Sequence, residues 1–195
     1  MQVVLASASP RRHELLKQLV QDFIIKPTDI DEDALTTSDP FQTAETLAFE
    51  KAKAAIDPAT PQIIIGCDTV VALKQGDTWT QFTKPTDNDD AIRILKSLRN
   101  RTHQVITGVA ILTPTQTEVS HCVTDVTFND VTDQEIEDYV LTGEPLDKAG
   151  AYGAQGMGHF LVKSLDGPFD NVVGLPLELT KILLANVGYF EPNLS

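Results

Sequence analysis

Three stretches of this chain set charged residues in surroundings that single them out. The first is Ile63-Ile64-Ile65-Gly66-Cys67-Asp68-Thr69-Val70-Val71, an almost continuous β-branched run of the kind that forms a strand covered on both faces. Asp68 interrupts it. A carboxylate there is costly unless it is paired, bound to a metal or protonated. Gly66 marks a bulge or a close backbone approach. The alternative is a strand that ends at Gly66 and leaves Asp68 in an exposed turn; the composition of the run favours the enclosed carboxylate. The second stretch, Asp29-Ile30-Asp31-Glu32-Asp33, follows a short apolar run stopped by Pro27. Such a run of charge is ordinarily a solvated loop, and otherwise a metal ligand placed just beyond a strand end. The third is Val3-Val4-Leu5-Ala6-Ser7-Ala8-Ser9-Pro10-Arg11-Arg12, a strand passing through small residues into a helix that starts at Pro10. The unpaired N–H groups of such a helix start attract an anion. Two arginines in the first turn oppose the helix dipole, and an anion arriving there removes the conflict. The competing reading, a Ser9 cap beside two solvated arginines, has equal standing from these residues alone.

The elements that must carry these stretches alternate between strand and helix. Leu15, Leu16, Leu19 and Val20 give the first helix its apolar face, and Phe23–Lys26 reads as a second strand. Asp39-Pro40 opens a helix whose Ala44, Leu47, Ala48, Ala52, Ala55 and Ile56 recur at helical spacing, with Lys51 and Lys53 on the flanks. Trp79–Phe82 is a return strand ending at Lys84-Pro85, and Thr86 with Asp89 predicts a capping box for the next helix. Gln104–Leu112 and Glu118–Phe128 form an antiparallel pair, the first with one face less buried. His103 and Thr107 open that strand as a capping or hydrogen-bonded polar pair. Thr132 and Glu135 make another capping box, and Gly143 closes the helix. Between Asp147 and Gly158 four closely spaced glycines exclude a stable helix or ordinary strand; they let the backbone approach a ligand or another chain segment. Asn171-Val172-Val173-Gly174-Leu175-Pro176 leads into a last helix with Leu177, Leu179, Ile182 and Leu183 buried. The class is α/β with a mixed sheet, read as a single domain over residues 1–195.

Bulk properties narrow the functions open to such a chain. Its net charge of −13 argues against sequence-independent binding to nucleic acid, while leaving room for a locally basic pocket. Arg11, Arg12, Lys51, Lys53, Lys84 and Lys148 all lie beside the stretches named above. No apolar run has the length of a membrane span, and no basic region precedes the first strand as in a signal peptide. Cys67 and Cys122 lack metal-ligand spacing and fit a reducing compartment. The expectation is a soluble cytoplasmic protein that binds neither membrane nor nucleic acid.

In order along the chain, Leu5-Ala6-Ser7-Ala8-Ser9-Pro10-Arg11-Arg12, Glu50-Lys51-Ala52, Asp68-Thr69-Val70-Val71, Lys84-Pro85, Thr102 through Val109, Asp147 through Gly158 and Asn171 through Pro176 resemble the Maf family of nucleoside triphosphate pyrophosphatases. The resemblance implies a mixed α/β fold in two lobes around a central cleft, related to the inosine-triphosphatase type. It implies hydrolysis of a nucleoside triphosphate to monophosphate and pyrophosphate, dependent on a divalent cation, Mg²⁺ or Mn²⁺. House-cleaning of nucleotide pools and arrest of cell division are the roles it brings with it, and a homodimer is allowed for. The family's proton acceptor falls on Asp68, and its acidic residue after the second strand falls on Glu32, with Asp31 as a neighbouring alternative. Its substrate-discriminating positions fall on Arg11, Thr69 and Gln155, and the segment around Gln155 is similar to the branch that cleaves dTTP and UTP. Cys67, where alanine is usual, and Arg99-Asn100, where Ser-Gly is common, depart from the family pattern without touching a proposed catalytic group.

Cleaving a phosphoanhydride calls for charge neutralisation, a held metal and an oriented water. Glu32 and Asp68 can supply the two carboxylates that Mg²⁺ commonly takes alongside substrate phosphates. Arg11, Lys51 and Lys84 can meet phosphate, with Ser9 beside them, and Gln155 and Thr69 can hydrogen-bond a pyrimidine edge. Lys84 is placed with Asp68 and Glu32 among the catalytic groups. The alternative function is a regulatory nucleotide-binding protein of cell division whose hydrolysis is incidental.

Overall fold

The computed structural model describes residues 1–190. Seven strands alternate with helices: β1 (Gln2–Ala6), α1 (Pro10–Leu16), β2 (Phe23–Ile25), α2 (Glu32–Leu35), α3 (Pro40–Ala54), β3 (Gln62–Gln75), β4 (Thr78–Phe82), α4 (Asn88–Leu98), β5 (Thr102–Leu112), β6 (Thr117–Phe128), α5 (Asp133–Leu141), β7 (Val162–Asp166), α6 (Phe169–Val173) and α7 (Leu177–Asn186). The hydrogen-bonded strand order is β2-β1-β3-β5-β6-β7, with β4 paired to β3. β1 runs parallel to both β2 and β3, whereas β4 is antiparallel to β3 and β7 to β6. The sheet is therefore mixed, as expected. Among the described residues no helix is long and apolar enough to cross a membrane.

The chain divides into two compact units. The first comprises residues 1–68, 107–122 and those from 174 on. Val3, Leu5, Ile63, Ile65, Val109 and Ile111 put one set of strand side chains against Leu16, Leu183 and Leu184 of the helices and against Val20, which lies past the end of α1 rather than within it as the spacing suggested. Val4, Ala6, Ile64 and Ala110 meet the alanine face of α3, namely Ala48, Ala52 and Ala55. Those alanines matter because Gly66 and Gly108 face them. A Cβ on Gly66 would fall 2.1 Å from the Ala48 carbonyl oxygen, and one on Gly108 would fall 2.1 Å from that of Ala44. Of the two readings open for Gly66, close approach is the one realised, and β3 runs unbroken through it to Gln75.

The second unit comprises residues 69–106 and 123–173. Val71, Leu73, Phe82, Ile94, Leu95, Leu98, Val126, Phe128 and Ile136 form its core, joined by the polar-tipped aromatics Tyr139 and Tyr152. Asn171 is fully buried and its Nδ2 donates to the Val105 carbonyl (2.9 Å) and to Thr124 Oγ1 (3.1 Å), so the asparagine of the last loop motif fastens α6 to two strands.

Several local expectations need correcting. The cap of α4 is Asp87, whose Oδ1 accepts from Asp90 N at 2.8 Å; Thr86 N instead donates to Asp90 Oδ2, so the Thr86 hydroxyl does no capping. β5 is buried on both faces from Val105 to Leu112, because side chains pack on either side of it; the half-exposed alternation belongs to β6. Ile182 is 49% exposed, while Thr180, Leu183 and Leu184 are the buried positions of α7. The acidic loop contains one helical turn, α2. The capping box of α5 forms as predicted, and Gly143 follows that helix with φ 77°.

Candidate active site

Parallel pairing determines what meets at one edge of the first unit. Ala6 of β1 lies opposite Gly66 of β3, and Ile25 of β2 lies opposite Leu5 of β1. The segments that leave the C-terminal ends of β1 and β2 therefore emerge near Asp68. Loops beyond the carboxyl ends of parallel strands are where α/β sheets gather polar groups. Here they carry Ser7–Arg12 from β1 and Glu32 from β2. The β2 loop is tied to α3, with Lys26 Nζ donating to the Ala55 carbonyl (2.9 Å) and Thr28 Oγ1 to that of Lys51 (3.3 Å).

Lys51 of α3 joins the acidic groups. Its ammonium lies 2.5 Å from Asp68 Oδ1 and 2.7 Å from Glu32 Oε1. The Lys51 and Asp68 side chains are 13% and 10% exposed and Glu32 is 53% exposed, so the pair nearest β3 is nearly enclosed and Glu32 faces solvent. Asp68 is the enclosed carboxylate that the β-branched run implied, and its charge is met by a cation. The two alternatives, Glu32 and Asp31, differ in their contacts. Asp31 caps α2, its Oδ1 accepting from Ala34 N at 3.1 Å, whereas Glu32 reaches Lys51.

At the start of α1, Ser9 is the N-cap, its Oγ accepting from Arg12 N at 3.5 Å, a long and therefore weak bond. Ser7 Oγ in turn accepts from Ser9 N at 3.2 Å. Arg12 turns back into the protein: its Nε donates to the Gly174 carbonyl at 2.7 Å and its guanidinium reaches Ser7 Oγ at 3.4 Å. Arg12 thus ties the turn after β1 to the segment before α7. Arg11 is half-buried beside it. Cys67, next to Asp68, is fully buried; desolvation pushes its thiol up to about 11, with Arg12 and Lys51 pulling against and Asp68 adding. It is an inert core thiol.

The remaining sequence-derived positions belong to the second unit. Thr69 is the half-buried residue that follows Asp68 on β3, and alternation points it to the opposite face. Lys84 is exposed in the connection between β4 and α4. Gln155 is exposed at the centre of the glycine-rich segment. That segment is wrapped around a carboxylate which sequence reasoning passed over, Glu144. Glu144 Oε1 accepts from Tyr139 Oη (2.9 Å) and Gly158 N (3.1 Å), and Oε2 accepts from Met157 N (2.9 Å). Tyr139 Oη accepts from Gly153 N at 3.1 Å. A Cβ on Gly156 would fall 2.5 Å from Glu144 Oε2, and one on Gly158 would fall 2.6 Å from Tyr139 Oη. The glycines serve the approach of chain to chain. Burial works against the Glu144 charge, but the two N–H donors, the Tyr139 hydroxyl and the Lys148 ammonium outweigh it and hold the carboxyl below its ordinary value. Sequence spacing gives a single clue to this post: Glu144 directly follows the helix-terminating Gly143.

His103 is almost wholly buried in the second unit, with Nε2 2.9 Å from Tyr152 Oη and its ring edge-on to Phe128 and Tyr152. It is a core histidine whose polar partner is Tyr152, where the sequence suggested Thr107.

Among the described residues no group of three or more His, Cys, Asp or Glu side chains is arranged to hold a metal ion. The donor set offered by Glu32 and Asp68 is nevertheless of the kind a hard divalent cation takes, two carboxylates with one of them open to solvent.

A protein named dTTP/UTP pyrophosphatase from Moorella thermoacetica is 46% identical over 188 residues, covering 95% of each chain. Those of the same name from Shewanella denitrificans and Symbiobacterium thermophilum are 46% and 42% identical, covering 93% and 96% of this chain and 94% and 95% of their own. A solved structure of a HAM1 protein from Coxiella burnetii aligns over 95% of this chain and 99% of its own, with 16% identity and a TM-score of 0.48. The family described as Maf-like protein matches residues 2–187, so the chain belongs to the Maf family.

Proposed function

We propose that this protein hydrolyses dTTP and UTP to the nucleoside monophosphate and pyrophosphate. The relatives that match nearly the whole chain bear that activity in their name. The observation that carries the reading is the Lys51 ammonium held between Asp68 and Glu32 at the carboxyl edge of the parallel strands. In this reading Asp68 accepts the proton of a water whose oxygen attacks the α-phosphorus. The bond from that phosphorus to the bridging oxygen breaks, and pyrophosphate departs with the electron pair. Lys51 keeps Asp68 oriented for that task through its contact with Oδ1. Glu32 and Asp68 are the residues that would hold a divalent cation, Mg²⁺ or Mn²⁺, which supplies neutralisation of phosphate charge when bound. Ser9, Arg11 and Lys84 bind phosphate oxygens, Arg11 through its forked guanidinium and Lys84 as a point charge. Gln155 and Thr69 read the base edge, the amide offering both a donor and an acceptor.

A panel of nucleoside triphosphates, assayed with Mg²⁺ for both pyrophosphate and free phosphate, tests the reading. Pyrophosphate from dTTP and UTP in preference to purine nucleotides is expected, with loss of turnover when the cation is chelated. Removing one catalytic carboxylate in Asp68→Asn should lower the rate by at least about a hundredfold. Release of free phosphate, or an unchanged rate in the Asp68→Asn variant, would overturn the assignment.

A further inference from the structure

Gln155 stands in a loop both of whose ends are pinned by one pair of side chains. On its N-terminal side Gly153 N donates to Tyr139 Oη, and on its C-terminal side Met157 N and Gly158 N donate to the two oxygens of Glu144. Tyr139 Oη donates to Glu144 Oε1, so the two pins are one unit. Lys148 Nζ, donating to the Glu144 carbonyl at 2.6 Å and contacting Asp147 Oδ1 at 2.6 Å, secures the backbone beneath. Besides these pins, Ala154 packs on the core of the unit and His159 N donates to the Gly156 carbonyl at 3.2 Å, while Gln155, Gly156 and Met157 are exposed; an unpinned glycine-rich segment samples many conformations. We infer that Glu144 is a positioning residue for base recognition, which fixes the Gln155 loop through Met157 N, Gly158 N and Tyr139. This rests on the pyrophosphatase reading, in which Gln155 meets the base; Glu144 itself touches no substrate.

The chemistry of the pin makes it selective. A carboxylate offers only acceptors, and all three groups aimed at it are donors. In Glu144→Gln the amide oxygen can still accept from Tyr139 and Gly158, but the NH₂ group then opposes Met157 N–H. The shape is kept and one pin is lost. Tyr139→Phe removes the other pin by deleting the acceptor of Gly153 N.

The test measures kcat and KM for dTTP and dATP in the wild type, Glu144→Gln and Tyr139→Phe. Amide hydrogen exchange at Gly153, Met157 and Gly158 is followed in the same proteins. Faster exchange at these amides, a rise in KM for dTTP of about tenfold with kcat little changed, and a matching fall in the dTTP-to-dATP preference are expected. The split arises because Asp68, Glu32 and Lys51 are untouched. Glu144→Asp, which restores charge on a shorter stem, should recover part of the preference. Should Glu144→Gln fail to fold, Tyr139→Phe carries the same comparison. A preference equal to that of the wild type in folded variants, whatever their exchange rates, would overturn the inference. Absence of pyrophosphate release by the wild type would instead overturn the reading on which it rests.

Discussion

Replacing Lys51 with methionine removes the cation on which Asp68 and Glu32 converge. Both carboxylates touch one nitrogen, at 2.5 and 2.7 Å, which places the contacting oxygens no more than about 5 Å apart. Two negative charges at that separation repel by roughly 3 kcal/mol at an effective dielectric of about 20. Glu32, 53% exposed, can relieve part of this by swinging into water, whereas Asp68, 10% exposed, cannot. Breaking a buried pair by deleting one partner costs about 3–5 kcal/mol, and the freedom of Glu32 brings the expected loss to about 2–3 kcal/mol. Urea unfolding followed by far-ultraviolet circular dichroism measures it, with Lys51→Arg as the charge-retaining control. Pyrophosphate release should fall by about a hundredfold or more in the same variant. Lys51→Met with stability within about 0.5 kcal/mol of the wild type and an unchanged rate would refute the role given to this ion cluster.

Two further predictions concern the scaffold. Gly66→Ala drives a methyl group into the backbone of α3 at Ala48 and Ala52, beside Lys51, and should cost about 3 kcal/mol, read as a lowered Tm; an unshifted Tm would contradict the packing described. His103 titrates only at about 3 in the folded chain because burial disfavours its charged form, against an ordinary value of 6.5. Between those values the unfolded chain binds the extra proton, so the stabilisation is complete above pH 6.5 and is lost as pH falls towards 3, at up to about 1.4 kcal/mol per pH unit. Urea denaturation from pH 7 to 5 should give a shallower slope for His103→Gln than for the wild type, and equal slopes would contradict the assignment.

Legibility of the site in sequence follows the range of the interactions involved. Asp68 stands out because a carboxylate inside Ile63–Val71 violates the local pattern, and local violations are visible in one dimension. The capping of α1 by Ser9 and of α5 by Thr132 is equally local. Lys51 looks like any lysine on the flank of a helix; its ion pairs are with residues 17 positions ahead and 19 behind, brought near only by the fold. Glu144 was hidden for a related reason, since its partners lie 13 and 14 residues downstream in a loop without periodicity. The misplacement of the α4 cap from Asp87 to Thr86 has a different origin. Thr86, Asp87, Asp89 and Asp90 present several candidate oxygens within one turn, and backbone geometry rather than residue type selects among them. For Ile182 the helical period is right but the stripe turns towards Thr180, whose hydroxyl is satisfied by the Pro176 carbonyl and so can be buried.

The pins on the Gln155 loop all grip main-chain amides of residues 153, 157 and 158, and none grips a side chain within it. The shape of the loop is therefore independent of what position 155 carries. Exchange of that one exposed residue leaves the anchoring bonds intact; under the proposed role of Gln155, a lineage with this architecture could explore new base preferences one substitution at a time without first rebuilding the fold. Glycines 156 and 158, where any side chain would strike the anchor, are closed to such exploration.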